Sequence, residues 1–265
     1  MRVESNTESG LEIRGIPDFW QRVESADCRF LGLDYDGTLA PFHAERMQAT
    51  PLPGARELLE RIRDTLDTHL CIVSGRPVSE ILELLGDLNV PIIGVHGHEM
   101  KKPFLPVQMY LPELKQRGGL RLAQTLAACR GYGALVEVKS ASVAFHTRPI
   151  PDSSKIPANI EREWIRIAHS FNLSLRRFNG GIELRAPGRN KGTAVLDVLK
   201  KLPRFAFPVY LGDDETDEDV FRAIRGWGYG IRVGNDDAPT AAQGFLDDPR
   251  AVLEFLRAWC RVVKG

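Results

Sequence analysis

Two carboxylates, Asp34 and Asp36, stand two residues apart at the end of an apolar run in the stretch FLGLDYDGTLAPF, residues 30–42. Residues two apart in an extended chain point to the same side, so both carboxylates could face one pocket. Because carboxylates at that spacing repel, one stays protonated or a cation lies between them. An Asp-Gly step is also typical of a tight turn, which requires no chemistry. The DxDG pattern alone leaves both interpretations open.

A second acidic cluster lies far along the chain, where six of the seven residues from 213 to 219 are acidic. A capping box between Thr216 and Asp219, together with the preference of acids for helix N-termini, would explain the later ones. Helix capping does not account for Asp213 and Asp214, which follow a strand-like run. Oxygen ligands from two loops suit Mg²⁺, which joins one or two carboxylates to a phosphate. The two acidic segments therefore predict a Mg²⁺ site.

Two further features fall where helices are expected to begin. Ser74 and Gly75 end a strand and precede a helix, and backbone N–H groups at such a junction hold phosphate well, with the serine hydroxyl as an added donor. Such junctions are common, so this signal is weak alone. Lys191 lies at a helix start, where a cation opposes the helix dipole; a bound anion or plain surface solvation would resolve that conflict. With the acidic segments, these residues form the set that phosphoryl transfer requires.

The elements that position these residues follow an α/β pattern. Strand-like apolar runs alternate with helix-period segments, which predicts a mainly parallel sheet that binds ligands at the carboxyl ends of its strands. The expected strands are 29–33, 69–75, 90–95, FPVYLGDD and YGIRVG. The expected helices include one opened by Pro53 with Leu66 on its buried face, one over 216–226 and a last one over about 249–262.

The pattern changes between about residues 106 and 186, where polar and apolar residues alternate along short hairpin-like segments beside two helices. This predicts an inserted α+β domain with an antiparallel sheet, and hence three segments: 1–105, 106–186 and 187–265. One face of that sheet is expected to be apolar, with Val136, Val138, Val143, Phe145, Ile182 and Leu184. The other carries Glu137, Lys139, His146, Arg148, Glu183 and Arg185, and a solvated face is the default for such a sheet.

Composition narrows the class of partner. The 265 residues include 35 Lys and Arg against 35 Asp and Glu, so zero net charge gives no hint of nucleic-acid or membrane binding. The four cysteines lack metal-site spacing, and no Walker A or GxSxG sequence is present. The polar first residues do not look like a signal peptide, and no apolar run reaches membrane-spanning length. We expect a cytoplasmic monomer that acts on a small molecule.

Four segments, in order along the chain, carry a resemblance to a known superfamily: LDYDGTLAP, VSGRP, GRNKGTA and GDDETDEDVF. They resemble the motifs of the haloacid dehalogenase-like phosphatases. With VHGHE, VEVK…SVAFHTR and IELRAPGRNKG, the chain is similar more narrowly to the trehalose-6-phosphate phosphatase family. The resemblance implies a Rossmann-like parallel-sheet core with the inserted domain as a cap.

The resemblance also implies a role for each motif residue. Asp34 would attack phosphorus, and Asp36 would protonate the departing sugar oxygen and then activate water. Ser74, Gly75 and Lys191 would bind phosphoryl oxygens. Mg²⁺ would be held by the Asp34 side chain, the Asp36 backbone carbonyl and Asp213, with support from Asp214 and Asp217.

In the cap, Glu137, Lys139, Arg148 and Glu183 match positions that bind sugar hydroxyls and phosphate, with His146 a lesser candidate; Glu99 of VHGHE has no evident role. The implied reaction is hydrolysis of trehalose 6-phosphate to trehalose and phosphate, the last step of trehalose biosynthesis. Two alternatives remain open. One is a phosphatase of another sugar phosphate, such as sucrose phosphate or mannosyl-3-phosphoglycerate. The other is a non-catalytic regulatory module of a trehalose synthase complex.

Overall fold

The computed structural model describes residues 11–43, 45–147, 156–178, 180–234 and 239–263. The chain divides into two compact units, one formed by 1–108 and 190–265 and the other by 109–189. Within the described ranges, every helix is too short or too polar to span a lipid bilayer.

The elements follow one another in the order expected of α/β units interrupted by an α+β segment. They are α1 Phe19–Ser25, β1 Arg29–Asp34, α2 Ala55–Arg63, β2 Thr68–Val73, α3 Val78–Leu85, β3 Ile92–Gly94, β4 Glu99–Lys101, β5 Gln108–Met109, α4 Leu114–Cys129, β6 Val136–Val138, β7 Ser142–His146, α5 Ala158–Phe171, β8 Ser174–Phe178, β9 Gly181–Arg185, α6 Lys191–Leu199, β10 Phe207–Gly212, α7 Glu218–Ile224, β11 Tyr229–Val233, β12 Gly244–Leu246 and α8 Pro249–Val262.

The first unit is built on a sheet whose described strands run in the order β12-β11-β10-β1-β2-β3-β4-β5. Strands β12 through β3 pair in parallel and β4 pairs with β3 antiparallel, so the predicted mainly parallel sheet is confirmed. Strand β1 lies between β2, the next strand in the chain, and β10, which enters much later. The strand order therefore reverses at β1, and the carboxyl ends of β10, β1 and β2 form the crevice where such sheets bind ligands.

Burial explains why these segments form a central sheet. All six residues of β1 are buried, as expected for a parallel strand covered by helices on both faces. Helix α8 presents a buried stripe that includes Phe255 and Trp259, and its bounds match the prediction. The rings of Phe19 and Trp20 on α1 lie 5.6 and 5.2 Å from that of Phe255, which joins α1 to α8 in one aromatic cluster.

Two predicted helices have different bounds in the structure. Helix α2 begins at Ala55 after Gly54, whose φ of +87° is left-handed, and it ends at Arg63. Leu66 therefore lies beyond the helix and is 95% exposed, although helical spacing placed it on the buried face. Helix α7 runs from Glu218 to Ile224 and is shorter at both ends than 216–226. It begins later because the acidic residues before Glu218 belong to a loop with hydrogen bonds of its own.

The second unit contains a four-stranded antiparallel sheet in the order β6-β7-β9-β8, with α4 and α5 packed against it. Its core includes Phe145 and Trp164, whose rings meet edge to face with centroids 6.1 Å apart. On the predicted apolar face, Val143, Phe145, Ile182 and Leu184 are buried. The two residues on the edge strand β6 are less covered: Val136 is partly buried and Val138 is half exposed. The hairpin turn expected at residues 179–181 includes Asn179, which lies outside the described residues.

Candidate active site

All residues predicted to carry chemistry in the first unit except Asp217 line one pocket of about 110 Å³ at the carboxyl edge of its sheet. Asp34 ends β1, Ser74 follows β2, and Asp213 follows β10, so three neighbouring strands each deliver one side chain. The pocket is lined by Asp34, Asp36, Phe42, Ser74, Gly75, His96, Lys191, Asp213 and Asp214. Sequence reasoning did not single out Phe42 or His96.

Asp34 is a buried carboxylate with a cationic partner. Lys191 Nζ donates a hydrogen bond of 2.8 Å to its Oδ1. Burial raises the pKa of Asp34 well above its ordinary value; Lys191 opposes that shift, while Asp213 and Asp214 add to it. An oxygen that is held in place and faces the pocket is suited to nucleophilic attack, provided that positive charge keeps it ionised.

Lys191 begins α6, and only 2% of its side chain is exposed, so the alternative of a solvated surface lysine is wrong. Its ammonium lies 2.8 Å from both Asp34 Oδ1 and Asp217 Oδ1 and 3.8 Å from Asp214 Oδ1. Burial would lower the pKa of Lys191, but the attraction of these carboxylates outweighs it and raises the pKa well above its ordinary value. The lysine therefore remains charged.

Asp217 organises the acidic loop and has no exposed surface. Its Oδ1 accepts hydrogen bonds from Lys191 and from the hydroxyl of Tyr210, the latter at 2.5 Å, and its Oδ2 accepts from the backbone N–H groups of Asp213 and Asp214. Both oxygens are thus engaged by protein donors. Asp217 therefore holds the loop and Lys191 together, and Tyr210 is a partner of Asp217 that sequence reasoning missed.

The predicted capping box between Thr216 and Asp219 is wrong. The Thr216 hydroxyl donates instead to Asp214 Oδ1 at 2.6 Å, and the Thr216 backbone N–H donates to the same oxygen at 2.8 Å. Burial opposes ionisation of Asp214, but Lys191 and the hydrogen bonds from this turn outweigh burial and lower its pKa. The turn holds an ionised Asp214 beside Lys191.

The donor set fits a divalent cation. Asp34, Asp213 and Asp217 each offer an oxygen within 4.8 Å of the others. Asp213 Oδ1 is buried without a hydrogen-bond partner among the described residues, whereas both oxygens of Asp217 already accept hydrogen bonds from protein groups. Burial, and then the Asp217 and Asp214 carboxylates, raise the pKa of Asp213 to about 8. Hard oxygen atoms crowded in this way suit Mg²⁺, and Asp34 and Asp213 are the side chains with oxygen atoms available to hold it.

Gly37 shows that the DxDG stretch is both a turn and part of the site. Its φ is +78°, a left-handed conformation that favours glycine, and its N–H donates to the Ala40 carbonyl at 2.8 Å. A Cβ at this position would lie 2.3 Å from Asp213 Oδ2. The missing side chain therefore lets the turn after β1 approach the carboxylate that follows β10.

Asp36 lines the pocket but is held by a residue that sequence reasoning missed. Arg76 donates two hydrogen bonds to it, from Nε to Oδ2 at 2.7 Å and from an Nη to Oδ1 at 2.6 Å. The backbone N–H of Arg76 donates to Ser74 Oγ at 3.0 Å, which leaves the Ser74 hydroxyl proton for another acceptor. Arg76 belongs to VSGRP, so the signal was present, but its partner lies 40 residues away in sequence.

The VHGHE segment has two distinct roles. His96 adopts a left-handed φ of 51°, and its ring covers Gly75, where a Cβ would lie 2.5 Å from the ring. Glu99 Oε2 accepts a hydrogen bond of 2.9 Å from the Val78 backbone N–H, the first residue of α3. Glu99, which had no assigned role, therefore anchors the start of the helix that follows Ser74 and Gly75.

In the second unit, the predicted polar side chains form a network rather than a row of separate surface groups. His146 Nε2 lies 2.9 Å from Glu137 Oε2, and Lys139 Nζ lies 3.4 Å from Glu183 Oε1. Glu183 is buried and also accepts from Ser142 at 2.6 Å and Arg185 at 2.5 Å. Arg148 lies outside the described residues.

Comparison with known proteins assigns the family. The family model described as trehalose-phosphatase matches residues 32–250. The chain is 30% identical over 252 residues to trehalose 6-phosphate phosphatase RA3 of Zea mays, with 85% of this chain and 68% of that protein covered. It is 32% identical over 237 residues to the bifunctional trehalose-6-phosphate synthase/phosphatase of Thermoproteus tenax; that match covers 87% of this chain but only about a third (32%) of the longer protein.

The fold is shared with solved structures. The C-terminal domain of Candida albicans trehalose-6-phosphate phosphatase aligns with a TM-score of 0.73 at 21% identity, over 92% of this chain and 96% of that one. Phosphatases of the HAD superfamily are also among the structural matches, which confirms the fold class expected from the sequence. Since the family model spans most of the chain, the strands and loops that build the pocket included, this protein belongs to the trehalose-phosphatase family and is a phosphatase.

Proposed function

We propose that this phosphatase hydrolyses trehalose 6-phosphate to trehalose and phosphate, the last step of trehalose biosynthesis, through an aspartyl-phosphate on Asp34. The observation that carries the proposal is the pairing of the buried Asp34 with Lys191 in a pocket that also contains Asp36, Ser74 and Asp213. A nucleophile, a second carboxyl group, a hydroxyl donor and a fixed cation are the groups that phosphoryl transfer from a sugar requires.

In the first step, an Asp34 oxygen attacks phosphorus and the bond from phosphorus to the sugar oxygen breaks. Asp36 gives its proton to that oxygen, so the sugar leaves as a neutral alcohol. Lys191 and the Ser74 hydroxyl donate hydrogen bonds to the phosphoryl oxygens while charge builds on them. The buried position of Lys191 strengthens its effect, because a charge acts more strongly away from water.

In the second step, Asp36 takes a proton from a water molecule as the water oxygen attacks phosphorus. The bond between phosphorus and the Asp34 oxygen breaks, which releases phosphate and restores the Asp34 carboxylate. One carboxyl group thus serves as acid and then as base, so each step leaves it in the state that the next step needs.

Mg²⁺ would be held by Asp34 and Asp213, with the Asp36 backbone carbonyl as a third protein ligand. When bound, it would supply positive charge that offsets repulsion between the carboxylates and the phosphoryl oxygens. Asp213 Oδ1, which is buried and has no hydrogen-bond partner in the described part of the chain, supports this assignment. Asp217 and Asp214 keep the loop and Lys191 in position around it.

Sugar recognition is proposed for the polar network of the second unit, Glu137, Lys139, His146 and Glu183, and for Arg148. Carboxylates accept hydrogen bonds from sugar hydroxyls, and lysine and arginine donate to hydroxyl or phosphate oxygens. The similarity to named trehalose 6-phosphate phosphatases favours trehalose as the sugar over sucrose or mannosylglycerate.

The test is phosphate release from a panel of trehalose 6-phosphate, sucrose phosphate and mannosyl-3-phosphoglycerate, with Mg²⁺ or with EDTA. We expect trehalose 6-phosphate to have the highest kcat/KM, EDTA to abolish release, and Asp34→Asn to lower it by at least about 10³-fold, as for loss of a nucleophile. Asp64→Asn, at an exposed carboxylate paired with Arg63, is the matched control and should keep full activity.

Each contrary result has a specific meaning. Preference for sucrose phosphate would overturn the substrate, and undiminished turnover by Asp34→Asn would overturn the nucleophile. No release from any substrate with Mg²⁺ would favour the regulatory module over the enzyme.

A further inference from the structure

We propose that Arg76 is a positioning residue that fixes the carboxylate of Asp36, and that it thereby governs proton delivery to the departing sugar oxygen. The inference rests on the function proposed above, because it concerns the residue expected to protonate the leaving group. Arg76 would act through Asp36 and make no contact of its own with the phosphoryl group.

The geometry of the pair is specific. Two different nitrogens of one planar guanidinium donate to the two oxygens of one carboxylate, at 2.7 and 2.6 Å. Such a bidentate pair fixes both the position and the rotation of the carboxylate, which a single hydrogen bond does not. Arg76 is 6% exposed and Asp36 30%, so the arginine is the buried member and the carboxylate is the member that reaches solvent.

Arg76 is itself held on several sides. Its remaining Nη lies 3.3 Å from Glu80 Oε2, and that carboxylate is paired in turn with Arg46 at 2.9 Å. The guanidinium carbon lies 5.7 Å from the centre of the Tyr35 ring, a cation–π distance. A side chain restrained in this way can serve as a fixed support for Asp36.

The two aspartates differ in what holds them. Lys191 binds Asp34 inside the pocket, whereas the contact that fixes Asp36 comes from Arg76, which does not line the pocket. Asp36 and Glu80 accept a hydrogen bond from each of the three nitrogens of the guanidinium, and Arg76 is not among the residues that line the pocket. These contacts do not support a role of Arg76 as a phosphate ligand. They support a role that Arg76 exerts through Asp36.

Removal of the guanidinium leaves the local backbone supports intact. The Arg76 N–H still bonds to Ser74 Oγ, and its carbonyl still accepts from Val95 at 2.9 Å. Arg76→Lys keeps the charge but cannot form the bidentate pair, and Arg76→Met removes both. Arg257→Met, on the exposed face of α8, controls for loss of a surface arginine paired with a glutamate.

The experiment compares kcat/KM for trehalose 6-phosphate and for p-nitrophenyl phosphate, both measured with Mg²⁺. A separate thermal unfolding curve first confirms that each variant is folded. The nitrophenolate leaves without a proton, so its departure does not need Asp36 as an acid. The ratio kcat/KM reports the steps up to the departure of the leaving group. We expect Arg76→Met to lower the value for the sugar phosphate about 10- to 100-fold, within the usual range for acid catalysis. For the sugar phosphate, kcat/KM of Arg76→Lys should lie between the values of Arg76→Met and the wild type. For the aryl phosphate, kcat/KM should change little in either variant.

A double variant tests whether the effect passes through Asp36. If it does, Arg76→Met adds no further loss for the sugar phosphate when Asp36→Asn is already present, because coupled residues are not additive. Equal losses for both substrates, or additive losses in the double variant, would overturn the inference while the wild type remains active. A wild type that releases no phosphate from either substrate would instead overturn the proposed function and this inference with it.

Discussion

At the scale of single residues, Asp213 gives the most direct support for the proposed cation. Its Oδ1 is buried without a partner among the described residues, and three other carboxylates lie around the same Lys191 ammonium. Burial, and then the Asp217 and Asp214 carboxylates, which one fixed cation does not balance, raise the pKa of Asp213 to about 8 in the absence of metal. The same burial and repulsion that raise the pKa prepare the carboxylate to bind metal.

The first prediction follows from that pKa. Mg²⁺ must displace a proton from Asp213, so its affinity should level off about one unit above pH 8 and should fall as pH decreases through about 8, by up to about tenfold per unit. Isothermal titration at pH 6.5, 7.5 and 8.5, in buffers of different ionisation enthalpy, should also detect proton release on binding. An affinity independent of pH over this range would contradict the assignment, and Asp213→Asn should bind weakly at every pH.

The second prediction concerns Lys191 and stability. Lys191→Met leaves Asp34 and Asp217 buried without their common cation, and an uncompensated buried charge costs about 3 to 5 kcal/mol. Urea unfolding in EDTA should show this loss. Lys200→Met, at an exposed lysine paired with Asp197 at 3.7 Å, should change the free energy of unfolding by less than about 1 kcal/mol. Similar effects of the two substitutions would indicate that the Lys191 contacts contribute little.

At the scale of elements, the site depends on where three strands end. Apolar runs and Gly-containing junctions predicted β1, β2 and β10 from the sequence, because buried parallel strands are continuously apolar and ligands bind at their carboxyl ends. The contacts between loops were not predictable in this way. The Asp36–Arg76 pair joins positions 40 residues apart. Thr216 bonds to Asp214 because a loop-specific hydrogen bond replaces the capping box that its spacing suggested.

The third prediction concerns the turn after β1. Gly37→Ala introduces left-handed strain of about 1 to 2 kcal/mol and also a Cβ that would lie 2.3 Å from Asp213 Oδ2. Gly54→Ala is the matched control, since its φ of +87° imposes the same strain but no atom lies within 4 Å of the added carbon. Gly37→Ala should lose at least as much stability as Gly54→Ala in thermal unfolding, whereas phosphate release and Mg²⁺ affinity should fall in Gly37→Ala alone. Equal activity of the two variants would show that the approach of Gly37 to Asp213 is not needed.

At the scale of the whole molecule, the two units carry different kinds of polar residues. The first unit concentrates acids around Lys191, and the second pairs its charges across one sheet, with Glu183 accepting from Lys139, Ser142 and Arg185. Alternation in the sequence predicted which face of the second sheet is polar. It did not predict that Glu183 is buried or that Ser142 contacts it, because register across β7 and β9 decides which side chains meet.

The final prediction separates sugar recognition from phosphoryl transfer. Glu183→Gln keeps the shape of the side chain but removes the charge that holds Lys139 and Arg185, so the network should lose its arrangement while the first unit is unchanged. We expect kcat/KM for trehalose 6-phosphate to fall about 10- to 100-fold, the equivalent of a hydrogen bond to a charged group, with little change for p-nitrophenyl phosphate. Glu163→Gln, on α5 and paired with Arg166, is the control and should leave both values unchanged. Equal losses for the two phosphates would assign Glu183 to folding of its unit, because a sugar-binding residue has no reason to affect a substrate that lacks the sugar.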